Sequence, residues 1–146
     1  MLSLIERRPL PDLVRDRILR PLGMTSTGYA LTDQTRQGFA VPHDERRRPV
    51  PAWPTPRLGG AGGLRSTLPD LLRFAAAGLP GVPSDVQDAM AVAKTPHLAT
   101  APKRSVSLGW HARHLVDHDV FWHSGETAGS RACIVLDDAT GLALTC

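Results

Sequence analysis

Phe121-Trp122-His123-Ser124-Gly125-Glu126-Thr127-Ala128-Gly129 is the stretch on which the fold turns. Two aromatics lead into a polar His-Ser-Gly step, and a run of small residues follows. Beyond it come Ala132-Cys133-Ile134-Val135-Leu136, the turn-forming Asp137-Asp138-Ala139-Thr140-Gly141, and Leu142-Ala143-Leu144-Thr145. The order strand, tight turn, strand, turn, strand predicts an antiparallel meander. A polar triplet closing an apolar strand, with glycine beside it, suits a backbone edge along which a ligand lies. A buried histidine in an ordinary hairpin accounts for the same residues, so the rest of the chain must decide.

Upstream, Ser105–Leu115 alternates as a strand, and Asp117-His118-Asp119 makes the turn into Val120–Trp122. Four of the six histidines fall between His111 and His123. On a helix His111, His114 and His118 would share a face and could hold zinc. The alternation around Trp110 argues instead for a strand, with His111 and His114 on opposite faces. No metal is expected.

Further back, Thr67 reads as the N-cap of a helix, with Pro69 in its first turn and Asp70 three residues on. Leu71, Leu72, Phe74 and Ala75 give that helix its buried side, and Gly78–Gly81 ends it. Val86–Lys94 reads as another short helix. The cluster Gly59-Gly60-Ala61-Gly62-Gly63 lacks the Lys-Ser/Thr of a phosphate loop and suits close backbone approach. Residues 42–58 form a Pro/Arg-rich surface loop containing Arg46-Arg47-Arg48, expected to be a solvated turn. Gly28–Leu31 and Gly38–Val41 read as short edge strands. Asp12–Leu19 reads as a helix stopped by Pro21-Leu22-Gly23-Met24, and residues 1–8 as the tail of an earlier helix.

Composition bounds these readings. A chain of 146 residues with 42% hydrophobic and 21% charged residues fits one soluble globular domain or part of one. Thirteen glycines and thirteen prolines favour many loops over long elements. The +3 charge comes from fifteen Arg and two Lys spread along the chain, which speaks for GC-rich coding and against a nucleic-acid partner. No apolar run is long enough to span a membrane, no signal peptide is legible at the start, and the compartment stays open. Two cysteines make no disulfide framework or metal spacing, and Cys133, in an apolar strand, reads as a buried inert thiol.

Three segments, in order, resemble the serine β-lactamase and penicillin-binding-protein superfamily, nearest to its class C β-lactamase and esterase-like branch. They are Leu13 through Thr27, Ala61 through Phe74, and Leu108-Gly109-Trp110 with His123-Ser124-Gly125 through Gly129 and the two strands that follow. The resemblance implies an α+β fold: the C-terminal portion of the β-lactamase/DD-peptidase fold, an antiparallel meander with packed helices, incomplete at both ends. Residues 1–146 would then be a single partial domain. It implies a serine hydrolase acting on amide, ester or β-lactam carbonyls through an acyl-enzyme, with a small-molecule or peptide substrate and no cofactor.

His123-Ser124-Gly125 aligns with the family's third motif, Lys-Thr-Gly or His-x-Gly, on the cleft strand. The resemblance assigns His123 to the proton and electrostatic network and Ser124 to a hydrogen bond with a substrate acyl or carboxylate group. Gly125 would permit close approach, the backbone N–H of Glu126 would be an oxyanion donor, and Thr127 would contact substrate. Such a donor is worth about 3 kcal/mol of transition-state stabilisation. Two family motifs have no counterpart. No Ser-x-x-Lys occurs, since Ala91 and Thr100 stand three before Lys94 and Lys103, and the chain has no asparagine for Tyr/Ser-x-Asn. The expectation is a cleft wall without the nucleophile, with an exposed apolar face and marginal stability. The alternative is a non-catalytic remnant that binds a ligand or partner.

Overall fold

In the computed structural model residues 1–53, 59–81 and 84–146 are described, apart from the side chain of Gln34. The chain divides into two units, residues 1–70 with 125–131, and residues 71–124 with 132–146.

In the first unit α1 (Leu2–Ile5) is a single turn, and α2 (Leu10–Val14) runs on into a wider π-helical turn at Arg15–Leu19. The helix stops where the sequence says it must. Met24 N–H donates to Leu19 O at 2.8 Å, Gly23 N–H to Arg20 O at 3.1 Å, and Gly23 sits at φ +63°. This is a Schellman cap, closed by the apolar pair Leu19 and Met24, both buried.

The first two segments of the family resemblance meet beyond that cap. Gly28 and Arg65 exchange backbone hydrogen bonds at 2.9 and 2.8 Å, and the Asp70 carboxylate accepts from Ser26 N–H at 2.8 Å and Thr27 Oγ1 at 2.9 Å. Asp70 N–H donates to Thr67 Oγ1 at 3.4 Å, so Thr67 caps the helix as expected. Asp70 serves this turn with its side chain as well. Its carboxylate, in a residue only 2% exposed, straps the 24–27 turn to the helix start.

Two edge strands expected here are absent. Gly28 makes a lone bridge with Arg65, and Gly38–Val41 is irregular. Between them stands α3 (Asp33–Gln37), started by a reciprocal box of Thr32 and Thr35. In the Pro/Arg-rich loop Asp44 accepts from the backbone N–H groups of Arg46 and Arg48, both at 2.9 Å, leaving all three arginines exposed. Residues 54–58 of that loop lie outside the described residues.

The second unit holds α4 from Leu71 onward (the helix spans Leu68–Ala77) and α5 (Asp85–Lys94). Ser84 caps α5, accepting from Gln87 N–H at 3.1 Å. A six-stranded antiparallel sheet follows in sequence order: β1 (Leu98–Ala101), β2 (Arg104–Val106), β3 (His111–His114), β4 (Asp119–Thr127), β5 (Ser130–Asp137) and β6 (Leu142–Thr145). The meander is as expected. The single strand read at Ser105–Leu115 is instead a hairpin of β2 and β3, turned at Gly109, whose φ of +79° a β-branched or bulky residue would resist.

Period 2 fixes the core. Ala112 opposite Phe121 and Leu136 opposite Ala143 put one sheet face against Ala75 and Met90 of the helices, with Trp110 alongside. Leu136 is fully buried, and a Cβ on Gly78 would come within 3.0 Å of its Cδ1. Gly78 therefore does more than end α4: it lets the chain close on Leu136. Lys94 is buried in the same unit, where its ammonium donates to Gly78 O at 2.9 Å and to both oxygens of Asp138.

Candidate active-site strand

β4 begins as a core strand and ends in solvent. Phe121 is buried, whereas His123, Ser124, Gly125 and Glu126 are exposed and Thr127 is half-buried. In the second unit the His123 ring lies 22° from parallel to that of His111, with centroids 6.3 Å apart. His111 in turn stacks on Trp122, its cross-strand partner, at 5.4 Å. Aromatic and imidazole faces thus continue to His123 where the apolar part of β4 gives out.

In the first unit, among the described residues other than its chain neighbours, no atom lies within 4 Å of the place a Cβ would occupy on Gly125. The room that glycine leaves is open to solvent. Glu126 is exposed and pairs with Arg131 at 3.2 Å. Thr127 turns its methyl toward Gly62, whose added Cβ would sit 3.3 Å from Thr127 Cγ2. Gly129, at φ +73°, receives His43 N–H on its carbonyl at 3.1 Å. A Cβ there would meet the His43 backbone at 2.6 Å. The Gly129 approach is a close backbone contact for which glycine is required, whereas at Gly62 the φ of +116° calls for glycine and the near neighbour is a side-chain methyl.

The other histidines of the cluster go to separate partners. His114 Nδ1 lies 2.7 Å from Asp119 Oδ1, and its Nε2 lies 3.0 Å from Ser105 Oγ. Three strands thus place Ser105, His114 and Asp119 in the hydrogen-bond order of a nucleophile, base and orienting carboxylate. The sequence reading missed this chain, because it assembles only through the β2–β3–β4 register. Ser105 is 4% exposed, so a substrate carbonyl does not reach its hydroxyl, and the three residues serve as a cross-strand polar link that is buried at Ser105 and half-buried at His114 and Asp119.

His118 meets Asp117 at 2.7 Å and Asp137 at 3.4 Å. The hydrogen bond to Asp117, with the nearby negative charge of Asp137, raises the His118 pKa above its ordinary value. Asp137 is held low, chiefly by the hydrogen bond to Thr140 at the β5–β6 turn and also by the backbone N–H groups there and by His118. A groove of about 620 Å³ opens beside this turn, lined by Leu115–Asp119, Phe121, Asp138 and Ala139. Its carboxylates are already matched: Asp117 by His118, Asp119 by His114, and Asp138 by Lys94.

Cys133, read as buried, is only half-buried. Among the described residues no helix is long and apolar enough to cross a membrane.

Fold and strand together define an α+β protein in which an antiparallel meander backed by helices presents a His-Ser-Gly edge. A family model described as Beta-lactamase matches residues 3–146, and the chain belongs to that family, within the β-lactamase-related serine hydrolases. Unguisins hydrolase ungD' of Aspergillus campestris (strain IBT 28561) is 29% identical over 151 residues, covering 91% of this chain and 28% of that protein. A β-lactamase/D-alanine carboxypeptidase from Pseudomonas syringae superposes with a TM-score of 0.85 at 16% identity, over 98% of this chain and 49% of that one. A class C β-lactamase from Rhodobacter sphaeroides gives 0.85 at 17%, over 98% and 50%. These likenesses establish the fold. The chain spans about half the length of the solved relatives and 28% of the curated one.

Proposed function

We propose that this chain is the cleft-wall segment of a serine hydrolase that cleaves amide, ester or β-lactam carbonyls through an acyl-enzyme. The observation that carries it is the exposure of His123 and Ser124 where β4 leaves the core. In this reading the His123 imidazole holds or relays a proton beside a nucleophile supplied from outside the chain. Ser124 hydrogen-bonds the acyl or carboxylate group of the substrate. Gly125 leaves room for it, the Glu126 N–H faces the developing oxyanion, and Thr127 lends its hydroxyl at the edge of the site. Hydrolysis is also the chemistry in the name of the curated relative. A histidine is a weaker fixed charge than the lysine of Lys-Thr-Gly, which favours ester or peptide substrates over β-lactams.

Two experiments test this. A fluorophosphonate or a fluorescent penicillin is expected to leave the isolated chain unlabelled. Label on Ser105 would instead make the Ser105–His114–Asp119 link a working triad and sink the borrowed-nucleophile reading. Sequencing the DNA upstream in frame is expected to find Ser-x-x-Lys and Tyr-x-Asn. Stop codons there would favour a non-catalytic module that keeps the wall to bind a ligand or partner.

A further inference from the structure

Cys133 and Cys146 are the two cysteines of the chain, and the fold brings them face to face. Cys133 N–H donates to Cys146 O at 3.0 Å, and Cys146 N–H donates to Cys133 O at 3.0 Å. This reciprocal exchange extends the β5–β6 register one step beyond Ile134 opposite Thr145. Directly opposed residues of an antiparallel pair send their side chains to the same face. Ile134, Leu136 and Ala143 belong to the core face, so by alternation both thiols lie on the other one. Both are free, Cys146 exposed and Cys133 half-buried.

In a hydrogen-bonded pair the Cα atoms lie about 5.5 Å apart, inside the range of about 4.4–6.8 Å that a disulfide spans. The Cβ atoms of such a pair stand nearer about 5.5 Å than the mean of about 3.8 Å for a relaxed bond. Closure therefore draws the strands together locally, and a bond under that load is readily reduced again.

We propose that Cys133 and Cys146 form a cross-strand dithiol that converts reversibly to an intrachain disulfide by exchange with a small-molecule disulfide of the glutathione class. The exposed Cys146 loses its proton, and its thiolate attacks one sulfur of the oxidant. That step forms a mixed disulfide and releases one thiolate. The Cys133 thiolate then attacks Cys146 Sγ, forming the internal bond and releasing the second thiolate. The two protons lost by the protein end on the two released thiols. The protein pair gives up two electrons, and the oxidant's disulfide is reduced to two thiols. β6 is the last strand in the sheet order. The bond ties its end to β5.

The test is to equilibrate the folded full chain, at low concentration, in buffers of graded reduced and oxidised glutathione, and then to quench and digest it. Trypsin cuts after Arg131, so one peptide of residues 132–146 carries both cysteines. The expected product is that peptide lighter by two hydrogens, with no free thiol. Its two halves should stay joined after cleavage before Asp137 or Asp138, and dithiothreitol should reverse the change. Cys133→Ser is expected to stop the reaction at glutathione held on Cys146. The proposal fails if the wild-type chain retains glutathione on Cys146 with Cys133 free. It fails equally if the only disulfides join two chains, or if neither thiol reacts.

Discussion

The Lys94 ammonium lies 2.6 and 2.5 Å from the two oxygens of Asp138, joining the end of α5 to the β5–β6 turn. The lysine side chain is 6% exposed and the aspartate 30%. The two truncations are therefore unequal. Asp138→Ala strands a charge in the core and should cost about 2–3 kcal/mol. Lys94→Met keeps the apolar stem beside Phe121 and leaves Asp138 to water, and should cost clearly less. Urea unfolding of both variants and of the double mutant checks the order, and equal losses would contradict it.

Gly129→Ala should be among the most damaging single changes in the first unit. The new methyl would meet the His43 backbone at 2.6 Å, at a φ of +73°. A loss of about 2 kcal/mol or more follows. Gly141→Ala is the control, because φ is +69° but nothing lies within 4 Å. It should cost only about 1 kcal/mol. Denaturant midpoints of the two variants decide whether clash or dihedral dominates.

Stability should depend on His118 above its ordinary pKa. The folded state raises that pKa, from a reference of 6.5, through Asp117 and Asp137. Its contribution is complete below 6.5 and fades as pH rises through the higher folded value. Asp137 acts in the other direction. Its lowered pKa adds stability that is present above 3.8 and lost as pH falls through the folded value. His118→Gln should flatten the decline that sets in above pH 6.5 and leave the acid limb in place. Urea midpoints measured across both ranges would show whether the alkaline decline survives the substitution.

Leu142 and Leu144 of β6 are 49% and 55% exposed, on the strand at the end of the sheet order. Such an apolar edge invites self-association. Leu144→Lys should lower aggregation on heating while changing stability by less than about 1 kcal/mol. Light scattering during a thermal ramp is the readout, and unchanged scattering would point to another surface.

In the intact hydrolase proposed above, His123→Ala should reduce kcat by about 10²-fold or more, as befits a lost proton-handling group. A change confined to KM would instead assign His123 to substrate binding alone.

Local chemistry made the meander, the Gly23 cap, the Thr67 cap and the two long helices legible from sequence. Each depends on residues a few positions apart: glycine for a positive φ, a hydroxyl for an orphan N–H, and apolar residues at the period of the element. The family segments were legible for the same reason, being short and ordered along the chain. The β2–β3 hairpin was missed because Ser107-Leu108-Gly109-Trp110 keeps the strand alternation across its turn. α3 was missed because its cap uses two threonines in place of the usual acidic partner.

The Asp70 strap, the buried Lys94, the Ser105–His114–Asp119 link and the facing cysteines were decided by tertiary structure alone. Each joins residues whose proximity comes from strand register or from packing between segments, and one residue's slip in register would undo the last two. For His123 the sequence supplied the chemical type, but β4 runs on to Thr127 and places it mid-strand, not at a strand end. Its exposure and its stacking on His111 came from where β4 runs out of core to cover it.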